Sequence, residues 1–324
     1  MKFYFHDYQP EFEDLHAAVV DGLTKSPKQL HPKFFYDKEG SSIFEQICKQ
    51  PEYYLPNVEH NISKKYVDEM IACLGKDCHI IEPGAGSSKK IRFLLDRMQP
   101  AMYVPMDISA EHLRISAQKL AEDYPHLPIH AICVDHTKSY ELPPEIPAHK
   151  RVFFYPGSSL GNFDPADAIH FLKDLHSKAG ADGSLLIGID TKKPEEVLNL
   201  AYNDATGTTA AFNLNLLKRI QNELDSEVNT DGFNHDAFYN KEQGRIEMHL
   251  RSHKQQKVRV NGNTFHFQPG ESIHTENSYK YTPDEFRALA WEAGWQCEKL
   301  WQDERRYFSV HFLKSQGTCK PKSN

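Results

Sequence analysis

The chain has 324 residues, enough for one large or two ordinary cores, and 38 Lys and Arg against 45 Asp and Glu leave a net charge of -7. That balance, with only short basic runs, argues against a general nucleic-acid binder, and no stretch approaches the ~20 apolar residues of a membrane span or forms a secretory leader. Six scattered cysteines (Cys48, Cys73, Cys78, Cys133, Cys297, Cys319) without a C-x-x-C pair predict reduced thiols in a cytoplasmic chain, and 18 histidines without H-E-x-x-H spacing give no reason to expect a metal.

Residues 1–55 carry short amphipathic pieces and many aromatics without regular alternation, and are expected in an accessory lobe. A helical pattern over 58–74 gathers Tyr66, Val67, Met70, Ile71 and Leu74 on one face and stops at Gly75. Strands and helices then alternate. An apolar strand at 78–81 runs into Glu82 and a Gly84-Ala85-Gly86 turn, but Lys89 stands where a dinucleotide fingerprint needs its third glycine, so a pyrophosphate cradle is incomplete. Glu82, two positions before the first glycine, suits a cationic, nucleoside-type ligand, although the same turn could be merely structural. The strand at 103–106 ends on Asp107, and Ser109 can cap a helix with Leu113, Ala117, Leu120, Ala121 and Tyr124 on one side. The strands at 129–134, 152–155 and 184–189 end at Asp135, Pro156-Gly157 and Asp190, and Asp164-Pro165 opens a helix carrying Ile169, Leu172 and Leu175. This alternation predicts a doubly wound parallel sheet with ligands at the strands' carboxyl ends, where Glu82, Asp107, Asp135 and Asn162 fall. Any one of them could simply end a strand; Asp107 lies one βαβ unit after Glu82, the interval of a ribose-binding carboxylate.

Past Asp190 the pattern changes. Residues 193–225 read as helices with Leu198, Ala201, Tyr202, Phe212, Leu216, Leu217 and Ile220 buried, and 237–281 as an inserted antiparallel unit of short strands broken at Asn261-Gly262 and Pro269-Gly270. A capping box at Thr282-Pro283-Asp284-Glu285 opens a helix closed by Gly294, followed by strands at 295–301 and 307–313. The expected fold is α/β: a class I, Rossmann-like methyltransferase sheet with a C-terminal antiparallel hairpin over 56–192 and 283–315, a discontinuous α+β substrate-binding domain over 1–55 and 193–282, and a flexible tail over 316–324.

The blocks FFYDKEGSSIFEQI (34–47), PEYY (51–54), EPGAGSSKK (82–90), YVPMDIS (103–109), YPGSSLGNF (155–163), AYNDATGTTAAFN (201–213), RIEMHLRS (245–252) and ESIHTENSYK (271–280) occur in this order over nearly the whole chain. In these blocks it resembles the histidine Nα-methyltransferases of ergothioneine biosynthesis, which trimethylate L-histidine to hercynine with S-adenosylmethionine. The resemblance implies cofactor contacts at Gly84, Lys90, Asp107, Asp135 and His136. It implies a histidine carboxylate against Tyr53, Asn162 and Tyr202, an imidazole reaching Glu276 and Ser278 with Asn277 between them and Met248 nearby, and Tyr36 steering the amine. Asn277 and Tyr279 depart from the small residues the family pattern has there, which bears on the shape of the imidazole pocket. A monomer with no nucleic-acid or membrane partner is expected, methylating its substrate processively. Two rivals stay open: an N-methyltransferase of another amino acid, such as a prenylated tryptophan, and a non-catalytic S-adenosylmethionine-binding protein on the same fold.

Overall fold

The computed structural model describes residues 2–10 and 14–316. Eight strands form a central sheet in the order Phe3–Asp7, Ile129–Cys133, Met102–Asp107, His79–Pro83, Arg151–Tyr155, Ser184–Asp190, Phe308–Ser315, Trp295–Gln302. Phe308–Ser315 runs antiparallel to Ser184–Asp190 and to Trp295–Gln302, while the other pairings in the sheet are parallel. This is the class I methyltransferase arrangement with its closing hairpin. The chain winds outward from His79–Pro83 to one side, then crosses to Arg151–Tyr155 on the other, which opens a crevice at the carboxyl ends of those two strands.

Strand periodicity builds two cores from one sheet. Ile80, Tyr103, Val152 and Leu186 face one layer with Met70 and Leu113, whereas Ile81, Val104, Phe153 and Leu185 face the other with Leu172 and Phe286. The first layer continues without a break into Leu198, Phe212, Ile246 and Val258, so the inserted segments share the sheet's core. The strand Phe3–Asp7 corrects the sequence expectation for residues 1–55. It pairs in parallel with Ile129–Cys133 at the sheet edge, where Phe3 and Phe5 pack on the core. With five residues and partial burial on both faces, it carries too little alternation to announce itself.

The helix Leu55–Leu74 ends at Gly75 with φ of 77°, a left-handed conformation that favours glycine, and Pro283–Glu292 begins with the expected capping box at Thr282 and Glu285. Ser109 and Asp164 occupy N-cap positions of Ala110–Asp123 and Pro165–Ala179, yet neither side chain makes a capping bond. The Asp164 carboxylate instead accepts from the Tyr279 hydroxyl at 3.0 Å and the Asn277 amide at 3.3 Å.

The inserted segments form two smaller sheets. One has the order Lys28–Gln29, Ser272–Tyr279, Arg245–Ser252, Phe233–Asn240, and the other Asn263–Phe267, Gln256–Val260, Ser226–Glu227. The strand Phe233–Asn240 begins earlier than the sequence suggests, because Asn234, His235 and Asp236 interrupt its apolar pattern. The helices Lys38–Ile47, Glu195–Tyr202 and Thr208–Glu223 complete this part. The expected tail lies, past Gln316, outside the described residues, as does Cys319.

The two parts meet where the short helix Ser159–Asn162 abuts the strand Ser272–Tyr279. A Cβ on Gly161 would stand 2.7 Å from the Tyr279 carbonyl oxygen, a backbone atom that can yield only if the strand shifts. Gly161→Ala is expected to lower stability by about 1–3 kcal/mol, read as a drop in melting temperature by calorimetry.

Candidate active site

A cavity of about 560 Å³, part of it open to solvent, lies between the central sheet and the inserted segments. Tyr36, Tyr53, Asn162, Tyr202, Met248, Glu276 and Ser278, seven residues from distant parts of the chain, all line it. Tyr36 follows the turn Pro32–Phe35, Tyr53 precedes the helix Leu55–Leu74, Asn162 ends Ser159–Asn162, and Tyr202 ends Glu195–Tyr202. Met248 and Glu276 are opposite one another on neighbouring antiparallel strands. Asn277 does not line the cavity, which corrects its expected place beside the ligand: alternation along the strand sends Glu276 and Ser278 inward and Asn277 to the opposite face, where it meets Asp164. Tyr279 shares that outer face, its hydroxyl accepting from Arg245 at 2.6 Å. Neither departure from the family pattern therefore touches the cavity wall.

The cavity is electrostatically asymmetric. Burial raises the Glu276 carboxyl to about 7, and the Lys280 ammonium keeps it from rising further. Burial, with the charge of Glu276 adding to it, also lifts the phenols of Tyr53 and Tyr202, so these hydroxyls remain protonated and can donate. Tyr36, 44 % exposed, packs edge-on against Phe44 and Phe212 with ring centroids 5.6 Å from each.

The glycine turn follows the strand His79–Pro83, in the crevice at the carboxyl ends of the sheet. Gly84 and Gly86 have φ of 68° and 52°, and a Cβ at Gly84 would come within 3.3 Å of the His136 ring. Asp107 accepts the Gly86 and Ser109 amides, each at 3.0 Å. Burial pushes the Asp135 carboxyl up, but the Thr137 hydroxyl and amide outweigh it and hold the group below its usual value. His136 is kept neutral by burial, and its Nδ1 is a buried polar atom with no hydrogen-bond partner. Lys90 pairs with Glu59 at 2.8 Å; the other Glu59 oxygen accepts the Gly157 amide at 2.7 Å, and Gly157 lines the first cavity. The contacts Lys90–Glu59–Gly157 thus link the segment after the glycine turn to the cavity.

Glu82, the acidic residue before the glycines, is buried: its carboxyl accepts from Tyr103 at 2.5 Å, the Tyr103 hydroxyl also reaches Ser88, and burial raises the carboxyl to about 8.

A family model described as histidine-specific, S-adenosylmethionine-dependent methyltransferase matches residues 15–315. The chain belongs to that family. The histidine N-alpha-methyltransferase of Mycolicibacterium smegmatis is 38% identical over 304 residues, covering 92% of this chain and 94% of that protein. Ergothioneine biosynthesis protein 1 of Neurospora crassa is 29% identical over 89% of this chain and 33% of its own length. Among solved structures, the CcbJ methyltransferase of Streptomyces caelestis is 12% identical over 78% of this chain and 95% of that chain, with a TM-score of 0.46.

The residues around the glycine turn of this methyltransferase fit its methyl donor. Gly84 leaves bare backbone under His136, Asp107 presents a carboxylate at a strand end, and the unpartnered His136 Nδ1 has a hydrogen-bonding capacity that only a ligand or solvent can meet. Sequence reasoning missed several groups. Phe44, Phe212 and Thr209 line the cavity, and Thr209 Oγ1 is buried without a partner. Glu59 gave no signal, because it is one acidic residue among many on a helix. Lys280, Asp190, Lys193 and Tyr54 form a buried charged cluster behind the cavity, of which the sequence marked only Asp190, as a strand end. On the outer sheet face Glu247, His249 and His274 bring donor atoms within 4.8 Å of one another; strand register assembles this set, which spacing along the chain does not display. Glu247 there already accepts from Arg245 and Asn240, each at 2.9 Å, and the two imidazoles stack at 4.5 Å.

Asp107→Ala removes the strand-end carboxylate that accepts the Gly86 and Ser109 amides. S-adenosylhomocysteine binding, measured by titration calorimetry, is expected to weaken roughly 10- to 100-fold.

Proposed function

We propose that the protein transfers three methyl groups in succession from S-adenosylmethionine to the α-amino nitrogen of L-histidine, forming hercynine for ergothioneine biosynthesis. The observation that carries this reading is the pairing of two polar sets in one cavity: Tyr53, Asn162 and Tyr202, which can donate to a carboxylate, and Glu276 with Ser278, which can engage an imidazole. The name of the mycolicibacterial relative supports histidine as the acceptor, and that of the Neurospora protein supports the pathway. A carboxylate at Glu276 matches an imidazole N–H and opposes a large apolar indole substituent, which disfavours a prenylated tryptophan. Survival of both polar sets favours an enzyme over a binding protein.

The sulfonium of S-adenosylmethionine supplies an activated methyl group, so the protein's task is positioning and exclusion of water. Lys90, Asp107, Asp135 and His136 would hold the donor along the glycine turn. Tyr53, Asn162 and Tyr202 would fix the acceptor carboxylate, and Glu276 its ring, leaving the amine between Tyr36 and Gly157, which also line the cavity. A free α-amine is largely protonated near neutral pH and must lose a proton before each transfer. Tyr36, neutral and aromatic, would orient the lone pair directly or through water. Anchoring the acceptor at both ends would retain the mono- and dimethyl intermediates, hence processive turnover. No step needs a Lewis acid, so we read the reaction as metal-free. Five described cysteines are free, in keeping with a reducing compartment, and among the described residues no helix is long and apolar enough to cross a membrane. We read the enzyme as a cytoplasmic monomer.

Mass spectrometry after incubation with S-adenosylmethionine and a panel of free amino acids tests the assignment. Trimethylated product from histidine alone is expected, and turnover of another amino acid in preference to histidine would overturn it. Glu276→Ala should lower kcat/KM for histidine by roughly 10- to 100-fold, the worth of a hydrogen bond to a charged group. Groups facing Glu276 are Lys280, just past the end of its strand, and Tyr36, Tyr53 and Tyr202 from the other walls. Because the ionised carboxylate is the acceptor, KM for histidine should rise as pH falls through about 7, the value to which Glu276 is raised. Glu276→Gln should abolish that limb in a steady-state pH profile.

A further inference from the structure

The outer face of the four-stranded inserted sheet, turned away from the cavity, gathers donor atoms that methyl transfer does not use. Glu247 and His249 stand two apart on the strand Arg245–Ser252, and Asn277 and His274 are their register partners on Ser272–Tyr279. Asn277 and His274 are separated by an odd number of positions, so a regular strand would send them to opposite faces. A bulge prevents that: Met248 pairs with Glu276 and His249 with His274, which leaves Thr275 without a partner and resets the strand by one residue. Two adjacent cross-strand pairs therefore share one face, and Glu247, His249 and His274 bring one donor atom each within 4.8 Å of one another.

We propose that these side chains form a site for a divalent transition metal of the zinc class, with Glu247, His249 and His274 as ligands and Asn277 Oδ1 as the fourth donor. Imidazole nitrogen combined with carboxylate oxygen suits such an ion, whereas magnesium and calcium take oxygen ligands. The site lies outside the methyl-transfer cavity, and its existence does not depend on which amino acid that cavity accepts.

Two of the ligands are already held by outer partners. Arg245 and Asn240 both donate to Glu247 Oε1, each at 2.9 Å, which leaves Oε2 facing His249 Nε2 at 3.1 Å. Neighbouring ligands on a tetrahedral ion with bonds of about 2.0–2.1 Å stand about 3.3 Å apart, so this pair needs little adjustment. The other His249 nitrogen, Nδ1, meets the Ser272 hydroxyl at 3.1 Å, the kind of outer contact that fixes the ring of a ligating histidine. Asn277 Oδ1 is buried with no hydrogen-bond partner, while the amide nitrogen of the same side chain is spent on Asp164 at 3.3 Å. The protein offers this oxygen no donor, and a cation would satisfy it. His274 has to move. Its ring stacks on His249 with centroids 4.5 Å and planes 11° apart, and two stacked rings cannot aim their lone pairs at one ion. Turning it gives up the stack and the contact of its Nε2 with the Glu276 carbonyl at 3.1 Å, a cost confined to one side chain. On the inner face the same two strands carry Met248 and Glu276, so a bound ion would clamp together the strands that form this wall of the cavity.

Titration calorimetry with Zn²⁺ on chelator-treated protein tests the site in the wild type, His249→Ala, His274→Ala and Glu247→Gln. The wild type is expected to bind one equivalent. Each substitution should weaken it by at least roughly 10- to 100-fold, the loss that changes to outer partners alone produce at metal sites. Co²⁺ in place of Zn²⁺ should give the visible bands of a four-coordinate ion in the wild type and lose them in His274→Ala, a signature that a merely structural hydrogen bond would not generate. S-adenosylhomocysteine affinity, measured alongside, should stay unchanged and shows that the variants are folded. Absence of Zn²⁺ binding by the wild type, or equal Zn²⁺ affinity in folded His249→Ala and His274→Ala, would overturn the proposal. Should the two histidine variants fail to bind S-adenosylhomocysteine, Glu247→Gln decides: weakened Zn²⁺ binding supports the site, and unchanged binding overturns it.

Discussion

The Asp190 carboxylate is the charge around which the two parts of the molecule are arranged. It ends the strand Ser184–Asp190, is fully buried, and is held by Lys280 from the inserted sheet, Lys193 from the start of the insertion and Tyr54 from the N-terminal segment. Burial alone would raise this acid, but the two ammonium groups outweigh it and keep it ionised. Burial would likewise discharge Lys280, and the charge of Asp190 reverses that, whereas Lys193 is pushed down to about 8. Removing one member of such a cluster strands the others in low dielectric, typically at a cost of about 3–5 kcal/mol. The cluster ties the end of the central-sheet strand Ser184–Asp190 and the wall of the cavity to the same two oxygens.

Glu59 performs a similar task on the donor side. Its two oxygens tie Lys90 to the Gly157 backbone, so a residue that would contact the donor and a residue that lines the acceptor cavity move together. For a reaction that depends on alignment along one line, coupling of this kind matters more than a strong base, since a small misplacement of either partner lowers the rate steeply. The neutral phenols of Tyr53 and Tyr202 agree with that division of labour: burial prevents their ionisation and leaves them as donors and as ring surfaces.

Much of the central sheet was legible in the chain. Its strands are continuous apolar runs ending on polar residues, and the glycine turn, capping box and closing hairpin each carry local chemistry that needs no partner. The edge strand Phe3–Asp7 was not legible, because five residues with mixed burial have no period to read. Ser109 and Asp164 were read as caps from their positions, but their side chains make no capping bond, and Asp164 has stronger partners across the interface. In the site, family motifs named Tyr53, Asn162, Tyr202, Glu276 and Ser278, and the fold brings them to one cavity. They also named Asn277, which strand alternation turns away. Glu82 was read as suiting a cationic ligand because it precedes the glycines; that it is buried against Tyr103 shows only in the packing.

The sequence by itself determined the periodicities, turns and motif blocks, and with them the fold class, the family and the kind of chemistry, because those depend on residues near one another in the chain. Tertiary structure alone decided which side of each strand faces the ligand, which carboxylates are ionised, and that Lys280, Asp190, Lys193 and Tyr54 meet. Tyr54 and Lys280 lie at opposite ends of the inserted organisation, and no local pattern marks a lone lysine as buried. Its burial and its partners exist only once the two parts of the chain close on the same carboxylate.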